Sequence, residues 1–248
     1  MSINSLFSHR SIRKYEARPI AQDVIDRIVE AAIRGSNTGN MQLYSIILTQ
    51  DPAIKAKLAP AHFNQPMVMS APLVATVCAD VNRMNKWCAA RHADAGFDNV
   101  ETLLTATIDA TIAAQCMALA AEEAGLGVCF LGTTTYNPEV IIEALGLPLG
   151  VMPVTTVTIG YPAEEPGLTE RLPAEAVAHS ETYHDFSEAD IERLYAEKEA
   201  LPANRKFVEE NAKDNLAQVF AEVRYPRANS EAFSQKLMDV ARKQGFLK

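Results

Sequence analysis

The stretch ETLLTATIDATIAAQCMALAAEEA, Glu101–Ala124, constrains the chain most. From Leu103 to Ala121 it holds a single charge, Asp109. It is rich in alanine and apolar on several sides, not along one stripe. Such a pattern predicts a long helix buried on most of its circumference, in a core or a subunit interface. Thr105, Thr107, Thr111 and Gln115 argue against a membrane span, so a buried helix is the expectation. Gly125 ends the helix. Everything else must wrap around it.

The other elements can be read in order. AQDVIDRIVEAAIRG places Val24, Ile25, Ile28, Val29 and Ala32 on one helical face, with Gly35 as a cap. YSIILT, Tyr44–Thr49, is a short apolar strand, and DPAIKAKLAP a short helix. APLVATVCAD, Ala71–Asp80, has the nearly continuous apolar run of a buried strand. VCFLG follows the long helix as a strand. NPEVIIEALGLP is a helix with proline in its first turn and Gly146 closing it. MPVTTVTIGYP, Met152–Pro162, is a strand rich in β-branched residues. Strands alternate with helices without a strict β-α-β rhythm, and helix outweighs strand. The expected class is α+β: helices on a mostly antiparallel sheet.

Beyond about Phe186 the character changes. The tail has 11 Lys and Arg against 11 Asp and Glu, so the whole net charge of −8 lies before it. We expect a core over 1–185 and a helical extension over 186–248, broken near Pro202 and Pro226. An acidic chain of pI about 5.2 disfavours nonspecific nucleic-acid binding. Cys78, Cys88, Cys116 and Cys129 form no C-x-x-C, and no histidine pair has metal-ligand spacing. They read as free thiols of a reducing cytoplasm, with no metal site. MSINSLFSHR lacks the apolar run of a secretory signal, which adds to the cytoplasmic expectation.

Four short stretches carry chemistry. HRSIRK, His9–Lys14, concentrates positive charge at the N-terminal side of an acidic chain. It suits a helix cap or an anion site. GLGVCFLG, Gly125–Gly132, is spaced G-x-G-x-x-x-x-G and follows a helix, so it is not a Rossmann loop. It is a helix-to-strand turn, or bare backbone at Gly132 that lets a planar ligand approach. The small polar run Ser36–Asn40 suits a plain loop or the edge of a heterocycle. HFNQP, His62–Pro66, and TERLP, Thr169–Pro173, are irregular and offer Gln65 and Arg171.

In order along one chain, HRSIRKYEARPI, SNTGNMQLYSIIL, AAEEAGLGVCFLG, LGLPLGVMPVTTVTIGYP, RLP, HSETY and RKQGF resemble the FMN-dependent nitroreductase family, in particular its oxygen-insensitive NADPH nitroreductase and flavin reductase group. The resemblance implies a nitroreductase-like α/β sandwich with a helical C-terminal extension, a homodimer, and FMN as cofactor. It implies that His9, Arg10 and Ser11 hold the phosphate and ribityl end. Arg13 goes to the pyrimidine edge, where a cation stabilises the charge of reduced flavin. Ser36, Asn37, Gly39 and Asn40 match a loop that reaches the flavin across the dimer. Gln65 matches a ring-edge glutamine, Phe130, Leu131, Gly132 and Thr133 the stretch backing the isoalloxazine, and Arg171 a phosphate-binding arginine. The chain departs from the family at Thr169, often lysine, at Thr133, usually glycine, and in a less serine-rich Ser36–Asn40 loop.

The implied reaction is ping-pong hydride transfer through flavin N5, from NADPH or NADH to a nitroaromatic, a quinone or a flavin. No protein nucleophile is needed, because the cofactor carries the chemistry. Arg205 and Lys206 could meet a 2′-phosphate or be a solvated pair. Two other readings stay open: a flavoenzyme for a dedicated metabolite, and a non-catalytic FMN-binding or storage protein.

Overall fold

The structure, a computed structural model, describes residues 4–247. Residues 1–3 and Lys248, at the outer ends of the two expected segments, lie outside the described residues. Two compact units are distinguished. One runs to Gly167 and also contains the chain from Phe233 on; the other is Leu168–Ala232.

The first unit is built from α1 (Asn4–Ser8), α2 (Gln22–Ala32), β1 (Tyr44–Thr49), α3 (Pro52–Leu58), α4 (Pro66–Ser70), β2 (Leu73–Asp80), α5 (Asn82–Ala90), α6 (Val100–Glu123), β3 (Gly127–Leu131), α7 (Pro138–Leu145) and β4 (Val151–Gly160). The strand order is β1-β2-β4-β3, and every neighbouring pair is antiparallel. This is the expected α+β class. Every residue of β2 is buried, as its apolar run predicts. Alternation sends side chains to opposite faces. Val128 and Phe130 of β3 meet the core under α2 and α6, whereas Cys129 and Leu131 meet the core under α3, α4 and α7.

The side chain of Asn99 caps α6 by accepting from the Thr102 N–H at 3.0 Å. The helix is long and apolar enough to cross a membrane by length and composition, yet it packs on α2 and on the sheet. Thr102, Ala106, Ala110, Ala113, Ala114, Met117, Ala118 and Ala121 form its buried face. Within one chain this is narrower than the sequence predicts. Val100, Leu104 and Ile108 form an outward row at 54–61% exposure.

Gly35 is not the expected cap of α2. Ile33 caps that helix in right-handed conformation. A Cβ at Gly35 would come within 3.1 Å of Ile112 and 3.2 Å of Cys116, so glycine there lets the chain pass close to α6. Gly146 does cap α7, at φ +61°. Near the C-terminus Phe246 is buried among Leu43, Val81 and Ala106.

The second unit holds α8 (Glu188–Ala200), α9 (Pro202–Glu210), α10 (Leu216–Gln218) and a π-helical turn at Val219–Arg224. A capping box between Ser187 and Asp190 starts α8. Helix α11 (Arg227–Lys243) begins after Pro226 and runs from this unit into the first. The breaks fall at Pro202 and Pro226, where the sequence predicts them. The four cysteines are free, and burial pushes the Cys78 thiol up to about 12.

Candidate functional site

The basic N-terminal motif lies along the edge of the sheet. The Ile12 N–H donates to the Val128 carbonyl at 2.9 Å, and Ser11 forms a parallel bridge with Val128. Ile12 seats directly over Gly127, where a Cβ would come 2.5 Å from it. Only glycine permits that approach. The Tyr15 hydroxyl lies 2.6 Å from the Ile12 carbonyl and 2.8 Å from the Thr158 hydroxyl. Burial pushes this phenol up, so it stays protonated. On the other flank, one Glu164 oxygen accepts the N–H groups of Arg13 at 2.7 Å and Lys14 at 3.1 Å. The motif is thus pinned between β3 and the segment after β4, with its polar side chains left at or near the surface.

Those side chains are unequally engaged. His9 Nδ1 meets Glu122 of α6 at 2.6 Å. Arg13 is exposed and donates one bond, at 3.3 Å, to the Ser11 carbonyl. Arg10 Nε is buried and lacks a hydrogen-bond partner among the described residues. A cavity of about 580 Å³ beside Arg10 is also lined by Glu122, Glu164 and Glu165. Three carboxylates repel a phosphate there. Ser11 and Arg13 lie outside that cavity.

Beyond β3 the chain turns at Gly132, whose missing Cβ faces open space. Phe130 is half-buried and Leu131 buried. Thr133 Oγ1 is 2.9 Å from His62 Nδ1. His62 is fully buried, and burial pulls it down to about 4, so it is neutral near pH 7. The contact ties the turn after β3 to the segment carrying Gln65, which is half-buried. Phe63 and Asn64 hold left-handed φ of +53° and +54° within that segment. Such strain in non-glycine residues tends to collect at functional sites.

The C-terminal helix packs over both segments. Phe233 stacks on Tyr136 at 4.4 Å, with Phe63 edge-on to both rings. Lys236 donates to Asn137 at 2.8 Å and pairs with Glu139 at 3.3 Å. Sequence reasoning alone does not identify His62, Tyr136, Phe233 or Lys236 as part of this assembly. Only His62 carries a local signal, its place three residues before Gln65.

The Ser36–Asn40 loop is built differently. Asn37 Oδ1 accepts the Gln42 N–H at 3.0 Å. Gly39, Asn40 and Gln42 are left-handed, at φ +57°, +56° and +53°. Ser36, Gly39 and Asn40 are exposed. Buried Asp109 of α6 takes the Thr38 N–H at 2.9 Å and the Thr38 hydroxyl at 3.2 Å on one oxygen. Its other oxygen takes the Leu43 N–H at 3.4 Å. Thr38 is therefore tied to α6 at residue 109 and His9 at residue 122. At ~1.5 Å of rise per residue these anchors are about 20 Å apart along the helix.

A single chain sets the His9–Arg13 motif along β3 at Val128, and His62 ties the turn at Thr133 to the segment carrying Gln65. The same chain does not bring the Ser36–Asn40 loop to them. Arg171 belongs to the second unit, where its guanidinium donates to the Thr169 and Glu170 carbonyls at 3.2 and 3.0 Å. Glu170 is itself paired with Lys198 at 3.0 Å, which holds its carboxyl below the usual range. Among the described residues no group of three His, Cys, Asp or Glu side chains could hold a metal ion.

Sheet order and the edge-laid basic motif define an α+β sandwich, not a doubly wound dinucleotide fold. The family model described as "Nitroreductase family" matches residues 6–161. The "FMN reductase [NAD(P)H]" of Bacillus subtilis (strain 168) is 33% identical over 251 residues, covering 98% of this chain and 97% of its own. The "Oxygen-insensitive NADPH nitroreductase" of Salmonella typhimurium is 34% identical over 77% of this chain and 78% of its own. A crystal structure from Bacteroides fragilis NCTC 9343 superposes with a TM-score of 0.97 at 50% identity, over 99% of this chain and 100% of that one. The chain belongs to the nitroreductase family.

Proposed function

We propose that this chain is an FMN-dependent NAD(P)H oxidoreductase that reduces small electron-poor acceptors, works as a homodimer and acts in the cytoplasm. The relatives' names supply the cofactor and the reductant class. The observation that carries the reading is the HRSIR motif laid along β3, the strand that leads into the open turn at Gly132. It leaves a buried Arg10 Nε without a partner among the described residues, and in this reading the anionic end of the ligand meets Arg10 outside the carboxylate-lined cavity, on the side of Ser11 and Arg13.

In this reading Arg10 and Ser11, with His9 held by Glu122, bind the phosphate and ribityl end. Exposed Arg13 supplies positive charge at the pyrimidine edge. Gln65 meets the ring edge. Phe130, Leu131, Gly132 and Thr133 back the ring, with Thr133 fixed by His62. Thr169 adds no cation where the resemblance often has lysine. Bound FMN supplies the hydride-accepting and hydride-donating centre. The chain orients the reactants over one face and screens it from water. Reductant and acceptor use that face in turn, which gives ping-pong kinetics.

Two features support the dimer. The row Val100, Leu104 and Ile108 is apolar and exposed. The Ser36–Asn40 loop is anchored about 20 Å along α6 from the His9 anchor, so Ser36, Asn37, Gly39 and Asn40 serve the site of a second copy. Arg205 and Lys206 lie on an exposed face of α9, and Lys206 is 3.6 Å from Glu210. They favour neither NADPH nor NADH.

The test is an anaerobic visible spectrum of the FMN-loaded protein. Bleaching by NADPH or NADH, and return of the oxidised band with a nitroaromatic or quinone, is the expected result. Flavin that stays oxidised with both reductants, or protein that takes up no FMN, overturns the reading.

A further inference from the structure

We infer that Asp109 is a positioning residue for cofactor binding: its buried carboxylate holds the Thr38–Leu43 loop in the shape that presents the loop to FMN. The inference rests on the FMN reading above. It starts from an anomaly. Asp109 is the one charge between Leu103 and Ala121, and it is 1% exposed on the buried face of α6. A carboxylate is costly to bury unless its oxygens are hydrogen-bonded. Its partners are the Thr38 N–H, the Thr38 hydroxyl and the Leu43 N–H. All three bracket the same short loop.

That loop requires holding. Gly39, Asn40 and Gln42 are left-handed, a conformation that glycine and asparagine tolerate and that is disfavoured for glutamine. Asn37 Oδ1 on the Gln42 N–H and Gln42 Nε2 on Asn40 at 3.1 Å brace the loop from within. Arg83 donates to the Gln42 carbonyl from outside. Asp109 meets both ends, the entry at Thr38 and the exit at Leu43. A carboxylate suits the task because it offers only acceptors to three donors. Asparagine can satisfy one oxygen's donors but turns an N–H group toward the other end.

The experiment compares FMN affinity, dimer content and melting temperature of the full-length wild type with Asp109→Asn, Asp109→Ala, Thr38→Ala and the core control Ile28→Val. The expected result is a graded rise in FMN Kd, largest for alanine at position 109. Asp109→Asn should lose about tenfold, as for one hydrogen bond to a charged group. Turnover at saturating FMN should stay within about twofold, because Asp109 holds the loop and not the reacting atoms. Ile28→Val should lower the melting temperature and leave the Kd alone. If Asp109→Ala does not fold, the asparagine and Thr38→Ala variants carry the test. Wild-type Kd in those variants while the wild type binds FMN overturns the inference. A wild type that takes up no FMN instead overturns the cofactor reading on which it rests.

Discussion

His62 and Thr133 meet at 2.9 Å, Nδ1 to Oγ1, across 71 residues of sequence. The imidazole is fully buried, and its Nε2 has no hydrogen-bond partner among the described residues. The contact joins the segment before Gln65 to the turn that follows β3. Burial pulls the histidine from 6.5 down to about 4. The folded state therefore prefers the neutral ring, while the unfolded chain takes a proton below pH 6.5. Stability is unaffected above that value and falls as the pH drops toward 4. The loss is of the order of 3 kcal/mol once complete. Chemical denaturation at pH 7 and pH 4.5 should show this loss in the wild type. His62→Gln, which keeps a polar partner for Thr133 without titrating, should show much less of it.

The stacked pair Tyr136 and Phe233, with Phe63 against both, fastens α11 over the same two segments. Phe233→Ala removes a stack and an edge contact from a half-buried position and should cost about 2 kcal/mol of stability. Hydrogen exchange is the sharper measurement. Amides of residues 59–65 and 132–137 should exchange faster in the variant, while those of β2 should not change. Equal acceleration everywhere would mean only global destabilisation.

The periodic elements are legible in the sequence because one local cause decides each. The Ala71–Asp80 run has the apolar continuity of a strand buried on both faces, and Gly146 ends α7 where glycine follows the last apolar turn. The basic motif is legible as a motif. Its seat is not, because it depends on Gly127 lying under Ile12, a contact between residues 115 apart in sequence. A lone Asp109 in an apolar helix declares that it must have partners. It does not say that they lie 71 and 66 residues upstream in a loop. Gly35 shows the opposite error. It reads as a cap from local pattern, while packing against Ile112 and Cys116 explains it.

Gly127→Ala tests the seat. The added Cβ would lie 2.5 to 2.9 Å from three atoms of Ile12, so the motif must shift off β3. The expected cost is about 2 kcal/mol, as for overpacking of a core. FMN affinity should fall with it, because His9, Arg10, Ser11 and Arg13 move with Ile12. Ile12→Ala in the same chain makes room for the new methyl group. The double variant should recover much of the affinity lost by Gly127→Ala, which a double-mutant cycle measures directly.

The 20 Å between the two anchors on α6 makes a prediction about whole dimers. A chain with Arg13→Ala lacks the cation proposed for the pyrimidine edge, and a chain with Asn37→Ala and Asn40→Ala lacks both asparagine side chains of the loop. Each alone should bind FMN weakly. If the loop serves its own chain's motif, every site in a mixed dimer still carries one defect. If it serves the partner's motif, one site of the mixed dimer combines the intact motif of the loop variant with the intact loop of the motif variant. The other site takes both defects. Mixed dimers purified through two different tags should then bind about one FMN per two chains with wild-type affinity. Titration with FMN, followed by fluorescence quenching, distinguishes this half-stoichiometry from uniformly weak binding. Uniformly weak binding would return the loop to its own chain and remove its role across the interface.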